Sequence, residues 1–283
     1  MSKTIGILGC GWLGTPLAES LLANGNHVRG STTREEKVNK LSQKGIEAGV
    51  LKLGEQGFEG NPVEFLGGLD CLVVNIPPGL RKDPNANFTA RIRFLETCLQ
   101  QAAIPHLVFV SSTSVYGASQ ESATETDPPL PDSQTGHQLL EAEKILLGNT
   151  VRSTQILRPG GLLGPDRHPV FSLSGKNLPS DGNERVNLVR RQDLLNILGL
   201  LIASPTLDGI YNAVFPEHPS KHEYYTREAN HFQIPPPVYS TGPTDPKGKK
   251  VGSSALKALG YSFGHSIWTP DLLSHPGDIE VED

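Results

Sequence analysis

Thr4-Ile5-Gly6-Ile7-Leu8-Gly9-Cys10-Gly11-Trp12-Leu13-Gly14-Thr15-Pro16-Leu17-Ala18 is the stretch whose reading decides the fold. Thr4 to Leu8 is a short apolar run with β-branched residues, and it stops at a glycine, which reads as a strand. From Thr15 to Asn24 the side chains of Leu17, Leu21 and Leu22 share one helical face, and Gly25-Asn26 ends the helix. Between the two lies Gly9-Cys10-Gly11-Trp12-Leu13-Gly14, a GxGxxG. Glycine is common, so the pattern alone says little. A strand before it and a helix after it make it a dinucleotide fingerprint. Gly9 permits the tight turn, Gly11 lets backbone approach a pyrophosphate, and Gly14 allows close packing of helix on strand. Trp12 and Leu13 complete the turn, and the helix N-terminus offers N–H groups and partial positive charge to phosphate. The competing reading is a tight turn with no ligand.

Working outward, His27 to Ser31 reads as a second strand, and Arg34 to Lys44 as a charged helix with Val38 and Leu41 inward. In this fingerprint a carboxylate at the end of the second strand usually holds the ribose 2′-hydroxyl. Here that place carries Ser31, Thr32, Thr33 and Arg34 instead. Hydroxyl donors and a guanidinium suit a 2′-phosphate, which a carboxylate would repel, so NADP is expected ahead of NAD. The alternative is that a hydroxyl caps the next helix and Arg34 stands in solvent. Leu69 to Ile76 is a buried strand ended by Pro77-Pro78, Phe88 to Ala103 a helix, and His106 to Ser111 another buried strand. Near-continuous apolar strands alternating with amphipathic helices predict an α/β fold, a doubly wound Rossmann parallel sheet with both faces covered. Asn75, Ile76 and Pro77 then end a strand at the cofactor groove.

The second half keeps the rhythm more loosely. Leu139 to Leu147 and Gln192 to Ala203 read as helices, and Thr154 to Arg158 and Gly209 to Val214 as strands. The rest is rich in proline. The expected organisation is a dinucleotide-binding domain over 1–165, to which the chain returns at about 186–214. A small α+β substrate lobe would comprise 166–185 and 215–283. The acidic stretch Asp278 to Asp283 is expected to be disordered.

Composition narrows the function classes. The 283 residues carry 25 Lys+Arg against 30 Asp+Glu, a formal net charge of -5, which leaves no electrostatic footprint for nucleic acid. Aromatic residues are 6 %, against a base-stacking surface. No apolar run approaches a membrane span, and the N-terminus lacks the apolar stretch of a signal peptide. Cys10, Cys71 and Cys98 are odd in number and have no CxxC or zinc spacing, so neither a disulfide scaffold nor a metal site is expected. These features predict a cytoplasmic protein with a small-molecule substrate and no nucleic-acid or membrane partner, as a monomer or homodimer.

Ser111-Ser112-Thr113-Ser114-Val115-Tyr116-Gly117, at the end of a buried strand, resembles the "SS-x-x-V-Y-G" of extended short-chain dehydrogenases/reductases, which include the nucleotide-sugar epimerases and dehydratases. In the same order, Leu157-Arg158-Pro159 to Gly164-Pro165 resembles that family's "LRP-x-x-x-x-GP". Val186 to Asp193 resembles its "v-x-x-V-h-v-x-D", and Gly209-Ile210-Tyr211-Asn212 its "G-x-Y-N". Together these span most of residues 1–215 and are specific jointly. The resemblance implies an NAD(P)-binding oxidoreductase with epimerase/dehydratase-like chemistry on a nucleotide sugar or related carbonyl/alcohol substrate. A different opening, Gly14-Thr15-Pro16-Leu17-Ala18, resembles 3-hydroxyacid dehydrogenases, but those continue into an all-helical domain, and the strand-containing second half argues against them.

The resemblance breaks at the chemistry. The family's catalytic Tyr and Lys stand four residues apart, ahead of a helical Glu. Aligned on Glu143, the Tyr position holds Thr135 and the Lys position Leu139. Neither supplies a titratable proton near neutral pH. The glycine spacing also differs from the family's usual GxxGxxG, and both departures resemble the atypical, nucleoside-diphosphate-sugar epimerase-like branch. Ser112 aligns with the family's substrate-orienting Ser/Thr, or it caps a turn. Tyr116 is the nearest phenol, or a packing residue. His137 brings an imidazole, the side-chain type that titrates near neutrality, or is a solvated helix-surface residue. Arg158, Arg167 and His168 lie where a nucleotide-sugar phosphate would need cations, or are surface charges. Loss of the Tyr/Lys pair also admits a non-catalytic NADP-binding redox sensor.

Overall fold

The computed structural model describes residues 2–149, 151–240, 242 and 245–269. Seven strands form its main sheet: β1 (Thr4–Leu8), β2 (His27–Thr32), β3 (Glu47–Val50), β4 (Cys71–Val74), β5 (His106–Val110), β6 (Ser153–Pro159) and β7 (Gly209–Ala213). Their order is β7-β6-β5-β4-β1-β2-β3. Register is parallel from β3 through to β6: Ile5 stands opposite Val28 on one side and Cys71 on the other, Leu72 opposite Leu107, and Phe109 opposite Ile156. The longer helices that lie between strands of this sheet in chain order include α1 (Gly14–Ala23), α2 (Glu35–Gln43), α3 (Phe88–Ala102), α4 (Gln134–Leu147) and α5 (Arg191–Ala203). This is the doubly wound Rossmann sheet. From β1 the chain builds outward through β2 and β3, then restarts on the other side with β4. That reversal places a crevice at the carboxyl ends of β1 and β4, where such sheets bind ligands.

The central strands are buried along their length: all four residues of β4, each apolar, and all seven of β6, which include Ser153, Thr154, Gln155 and Arg158. β3 is the strand of this sheet that the sequence does not announce. It alternates exposed and half-buried residues at the sheet edge, and Glu47-Ala48-Gly49-Val50 has no apolar run to announce it. α4 begins five residues earlier than its apolar pattern suggests. The Ser133 hydroxyl accepts the Gly136 N–H and caps the helix, so the polar residues Gln134 to Gln138 are helical. Gly136 lets this helix approach the Ser114 backbone, since a Cβ there would stand 2.3 Å from the Ser114 carbonyl oxygen.

The chain divides into two compact units. The first comprises the residues up to Gly117, Pro128–Arg158 and Leu195–Tyr211. The second comprises Ala118–Asp127, Pro159–Leu194 and the described residues from Asn212 onward. The chain thus leaves the first unit at Arg158 and re-enters it at Leu195, against crossings at 165 and about 186 in the sequence reading. The reason is a short parallel pair, Gly161–Leu163 with Leu188–Arg190, which ties both segments together in the second unit. That unit's core gathers Leu163, Val170, Val186, Leu188, Tyr224, Tyr225 and Ile267. Its buried Asp193 carboxylate accepts from the Tyr261 hydroxyl and from the Gly264 and His265 N–H groups, which anchors the 261–265 segment. Asp278 to Asp283 lie outside the described residues. Among the described residues no helix is long and apolar enough to cross a membrane.

Candidate dinucleotide site

The glycine turn joins β1 to α1 within the first unit, and its three glycines are glycines for different reasons. Gly9 has φ +110°, and a Cβ there would lie 2.4 Å from the Asn75 carbonyl oxygen. Gly14 packs the first turn of α1 onto the loop: its Cβ would lie 2.2 Å from the Gly9 carbonyl oxygen. At Gly11 no atom of the chain lies within 4 Å of where a Cβ would be, and φ is outside the left-handed region. The fold therefore demands glycine at Gly9 and Gly14 but not at Gly11, where the missing side chain leaves a cradle open. α1 has no side-chain cap at its N-terminus and no acidic residue in its first turn, so its partial positive charge is uncompensated there. Trp12 is half-buried. The Leu13 side chain is in the core at 5 % exposure, so only its backbone is available to a ligand.

The strand ends on either side brace this turn. The Ser31 hydroxyl accepts the Gly9 N–H at 2.9 Å, and the Ser31 carbonyl accepts the Cys10 N–H. Ser31 is buried at 2 % exposure and supports the turn from beneath. Thr32 is also buried, with its hydroxyl accepting the Arg34 N–H. Thr33 and Arg34 are exposed at the start of α2. On the other side the Asn75 amide donates to the Gly9 carbonyl at 3.1 Å. Asn75 and Ile76 are half-buried and Pro77 is exposed. Arg91 of α3, which the sequence reading passed over, donates to the Pro77 and Pro78 carbonyls and braces the loop after β4. Cys10 sits against Gly30, and burial pushes its thiol up to about 12, so it is an inert packing group.

The catalytic candidates are not equivalent. Ser112 is half-buried after β5. Its Oγ accepts the Ser114 N–H at 3.1 Å and caps the short turn Thr113–Val115, which leaves its O–H to donate. His137 is exposed on the first turn of α4. Tyr116 is completely buried, and its phenol oxygen accepts from Arg158 Nη1 at 2.7 Å, so it is a core residue. Arg158 is no phosphate ligand either. It is 1 % exposed and grips Glu143 through Nε at 3.0 Å and Nη2 at 2.5 Å. Ser111 Oγ adds a bond to the same carboxylate. Burial opposes the guanidinium's charge, but the hydrogen bond and charge of Glu143 outweigh it and hold its pKa above the ordinary arginine range. His168 is buried in the second unit, with its Nε2 near the Tyr224 hydroxyl and the Glu228 carboxylate and its Nδ1 accepting the Val170 N–H. Arg167 alone of the three expected phosphate-binding cations is exposed. Leu139 is buried in the core face of α4.

No protein-family model matches the chain. Among solved structures, MoeE5 in complex with UDP-glucose and NAD superposes with a TM-score of 0.76 at 19% identity, over 93% of this chain and 94% of that one. The UDP-glucose 4-epimerase of Thermus thermophilus, in complex with NAD, gives 0.74 at 20% identity over 93% of this chain and 94% of that one. Both likenesses show that the chain shares the fold of these proteins. A curated relative is far nearer in sequence: Protein YeeZ of Escherichia coli (strain K12) is 35% identical over 277 residues, 97% of this chain and 99% of that protein. Identity at that level along nearly the whole of both chains means that this chain belongs to the YeeZ family, on a Rossmann-type α/β fold.

Proposed function

We propose that the chain binds NADP at the glycine turn and acts as an epimerase/dehydratase-like oxidoreductase on a nucleotide sugar or a related small carbonyl/alcohol substrate. The observation that carries the reading is Gly11, whose open cradle the fold itself does not require. In this reading the backbone of Gly9 to Gly14, including that of Trp12 and Leu13, holds the pyrophosphate at the start of α1. Thr33 and Arg34 face the 2′-phosphate, and Asn75, Ile76 and Pro77 line the nicotinamide side. The bound dinucleotide supplies a reversible hydride acceptor and donor. NAD in the two fold relatives supports a dinucleotide. The absence of a carboxylate at the end of β2 supports NADP. Ser112 donates its O–H to the reacting substrate oxygen, and His137 holds or releases the proton that Thr135 and Leu139 cannot.

A thermal-shift comparison of NADP with NAD tests the cofactor. A ligand at 100 times its Kd stabilises by about 2.7 kcal/mol. Arg34→Ala weakens NADP by about 1.5–3 kcal/mol and leaves NAD unaffected, because only NADP has the 2′-phosphate. Equal losses for both cofactors refute the NADP preference. For the chemistry, turnover of a carbonyl and nucleotide-sugar panel with NADPH is abolished by Ser112→Ala, and His137→Gln lowers it and alters its pH profile. Full activity in both variants removes this site. The second reading, a non-catalytic NADP sensor, is favoured by one observation: Leu139 occupies the lysine position as a core residue at 3 % exposure. NADP binding with no turnover across the panel selects it.

A further inference from the structure

The second unit contains a cavity of about 610 Å3 whose walls include Arg190, Arg227, His265, Trp268 and Thr269. Arg190 is clamped in place, its Nε donating to the Ser266 carbonyl at 2.7 Å and its Nη2 to the Trp268 carbonyl at 2.9 Å. Its Nη1 has no hydrogen bond among the described residues. Arg227 lies with its guanidinium carbon 4.2 Å from the centre of the Trp268 ring. That indole is itself fixed, with Nε1 donating to Glu217 at 2.7 Å and its ring against Tyr224. Both guanidinium groups are thus held at the cavity by contacts that leave their charge uncancelled, and neither has a carboxylate partner among the described residues.

The carboxylates close by are already engaged. Asp193 accepts from Tyr261, Gly264 and His265. Glu228 accepts from the backbone and hydroxyl of Thr269 and lies 3.2 Å from His168. Glu217 takes the indole N–H. Arg190 and Arg227 therefore line one cavity with neither in an ion pair among the described residues, while the nearby carboxylates are turned to other donors. Guanidinium forks match the oxygen geometry of phosphate, and two of them balance a dianion. The volume suits a small organic molecule as well as its charged group. We propose that this cavity is an oxyanion site for a phosphomonoester, built from the second unit and independent of the dinucleotide reading.

The chain has 2 tryptophans, Trp12 and Trp268, so 5-fluorotryptophan labelling of the full-length protein yields two fluorine resonances, assigned with Trp268→Phe. Titration with phenyl phosphate shifts the Trp268 signal saturably and leaves Trp12 unmoved. Benzoate, a monoanion of the same shape, binds about tenfold more weakly or worse. Arg227→Gln weakens phenyl phosphate about tenfold or more, and Arg227→Lys less, as charge survives without the fork. Arg190→Lys gives a second, independent loss. NADP titration moves Trp12 alike in parent and Arg227→Gln, which keeps this result separate from the cofactor site. A shift confined to Trp12, unchanged affinity in Arg227→Gln, or equal affinity for benzoate overturns the proposal. It is also overturned if phenyl phosphate binds only after Asp271, Asp278, Glu280, Glu282 and Asp283 are neutralised, since the cavity would then belong to the chain's own carboxylates.

Discussion

Alanine at each of the three turn glycines separates what the fold needs from what a ligand needs. At Gly9 the substitution forces a side chain into φ +110° and a Cβ to 2.4 Å from the Asn75 carbonyl, so both strain and overlap apply. Backbone strain of that kind costs about 1–3 kcal/mol before any clash is relieved. At Gly14 the Cβ meets the Gly9 carbonyl at 2.2 Å, and since backbone must move to clear it, a loss of about 1–3 kcal/mol follows. At Gly11 nothing lies within 4 Å, so Gly11→Ala folds as well as the parent. It is more stable by about 0.4–1 kcal/mol through the lower entropy of its unfolded chain. Its effect falls on the dinucleotide. A methyl group in the cradle displaces the pyrophosphate from charge-assisted N–H contacts worth about 1.5–3 kcal/mol, which is about 10- to 150-fold in Kd. The assay is urea unfolding followed by Trp12 fluorescence in a Trp268→Phe background, so that the signal reports the first unit, with NADP titration by calorimetry alongside. If Gly11→Ala is destabilised as much as the other two, its glycine is structural. If it binds NADP as the parent does, this turn is not the site.

The remaining predictions concern the buried groups. Glu143→Gln strands the Arg158 guanidinium in the core and destabilises the first unit by about 3–5 kcal/mol in urea unfolding. Tyr116→Phe removes one partner of the same guanidinium, at about 1.5–3 kcal/mol. Because the folded pKa of Arg158 is raised, its contribution is complete below the ordinary arginine range and is lost only as pH climbs past the folded value. Both deficits therefore stay constant between about pH 6 and 10. In the second unit, burial first and then the charges of Lys250 and Arg185 push the His218 imidazole down to about 4, against a backbone hydrogen bond to Val186. The unfolded chain takes up that proton first, so stability is greatest above the ordinary histidine pKa of about 6.5 and falls as pH drops towards 4. The fall is about 2–3 kcal/mol by order of magnitude, read as a lower urea midpoint at pH 5 than at pH 7. His218→Gln flattens the slope in part, the buried His106 contributing in the same direction. An unchanged slope in His218→Gln refutes the assignment.

The first unit was legible in the sequence because its strands are buried on both faces and its turns carry glycine. β1, β4 and β5 are apolar runs with a clear stop, β6 centres on Ile156-Leu157 ahead of Pro159, and each is found within two residues of its expected ends. β3 was hidden because an edge strand has no apolar run, and the start of α4 because it depends on a serine cap and polar residues. Among site residues, the glycines were legible through their spacing. The fate of Ser31 was not, because a hydroxyl at a strand end serves a ligand or its own backbone equally well, and only the turn of the chain above it decides. Arg158 and His168 were mistaken for surface cations for a related reason: the sequence shows a charge but not its partner. One signal was available. Leu139, Ala142, Glu143 and Leu146 fall on a single face of α4 and all are buried, so the apolar stripe itself places a carboxylate in the core, where it requires a cation.

That partnership explains which parts of the family pattern this chain keeps. Glu143 and Arg158 lie on α4 and β6, and Ser111 and Tyr116 bracket the loop after β5 that carries Ser112. The four side chains join two strand ends and a helix through one buried carboxylate. Removing Glu143, Arg158 or Tyr116 leaves a polar atom without a partner where water does not reach, which ties these motif residues to folding whatever the chemistry. Thr135 and Leu139 stand under no such constraint. Leu139 fills a core position that an unpaired lysine would disrupt, and Thr135 is a small half-buried hydroxyl. Sequence resemblance across the Ser111–Gly117 segment is accordingly evidence for the fold of that loop. Evidence for catalysis has to come from Ser112 and His137, the two candidates whose polar groups the core has not already taken up.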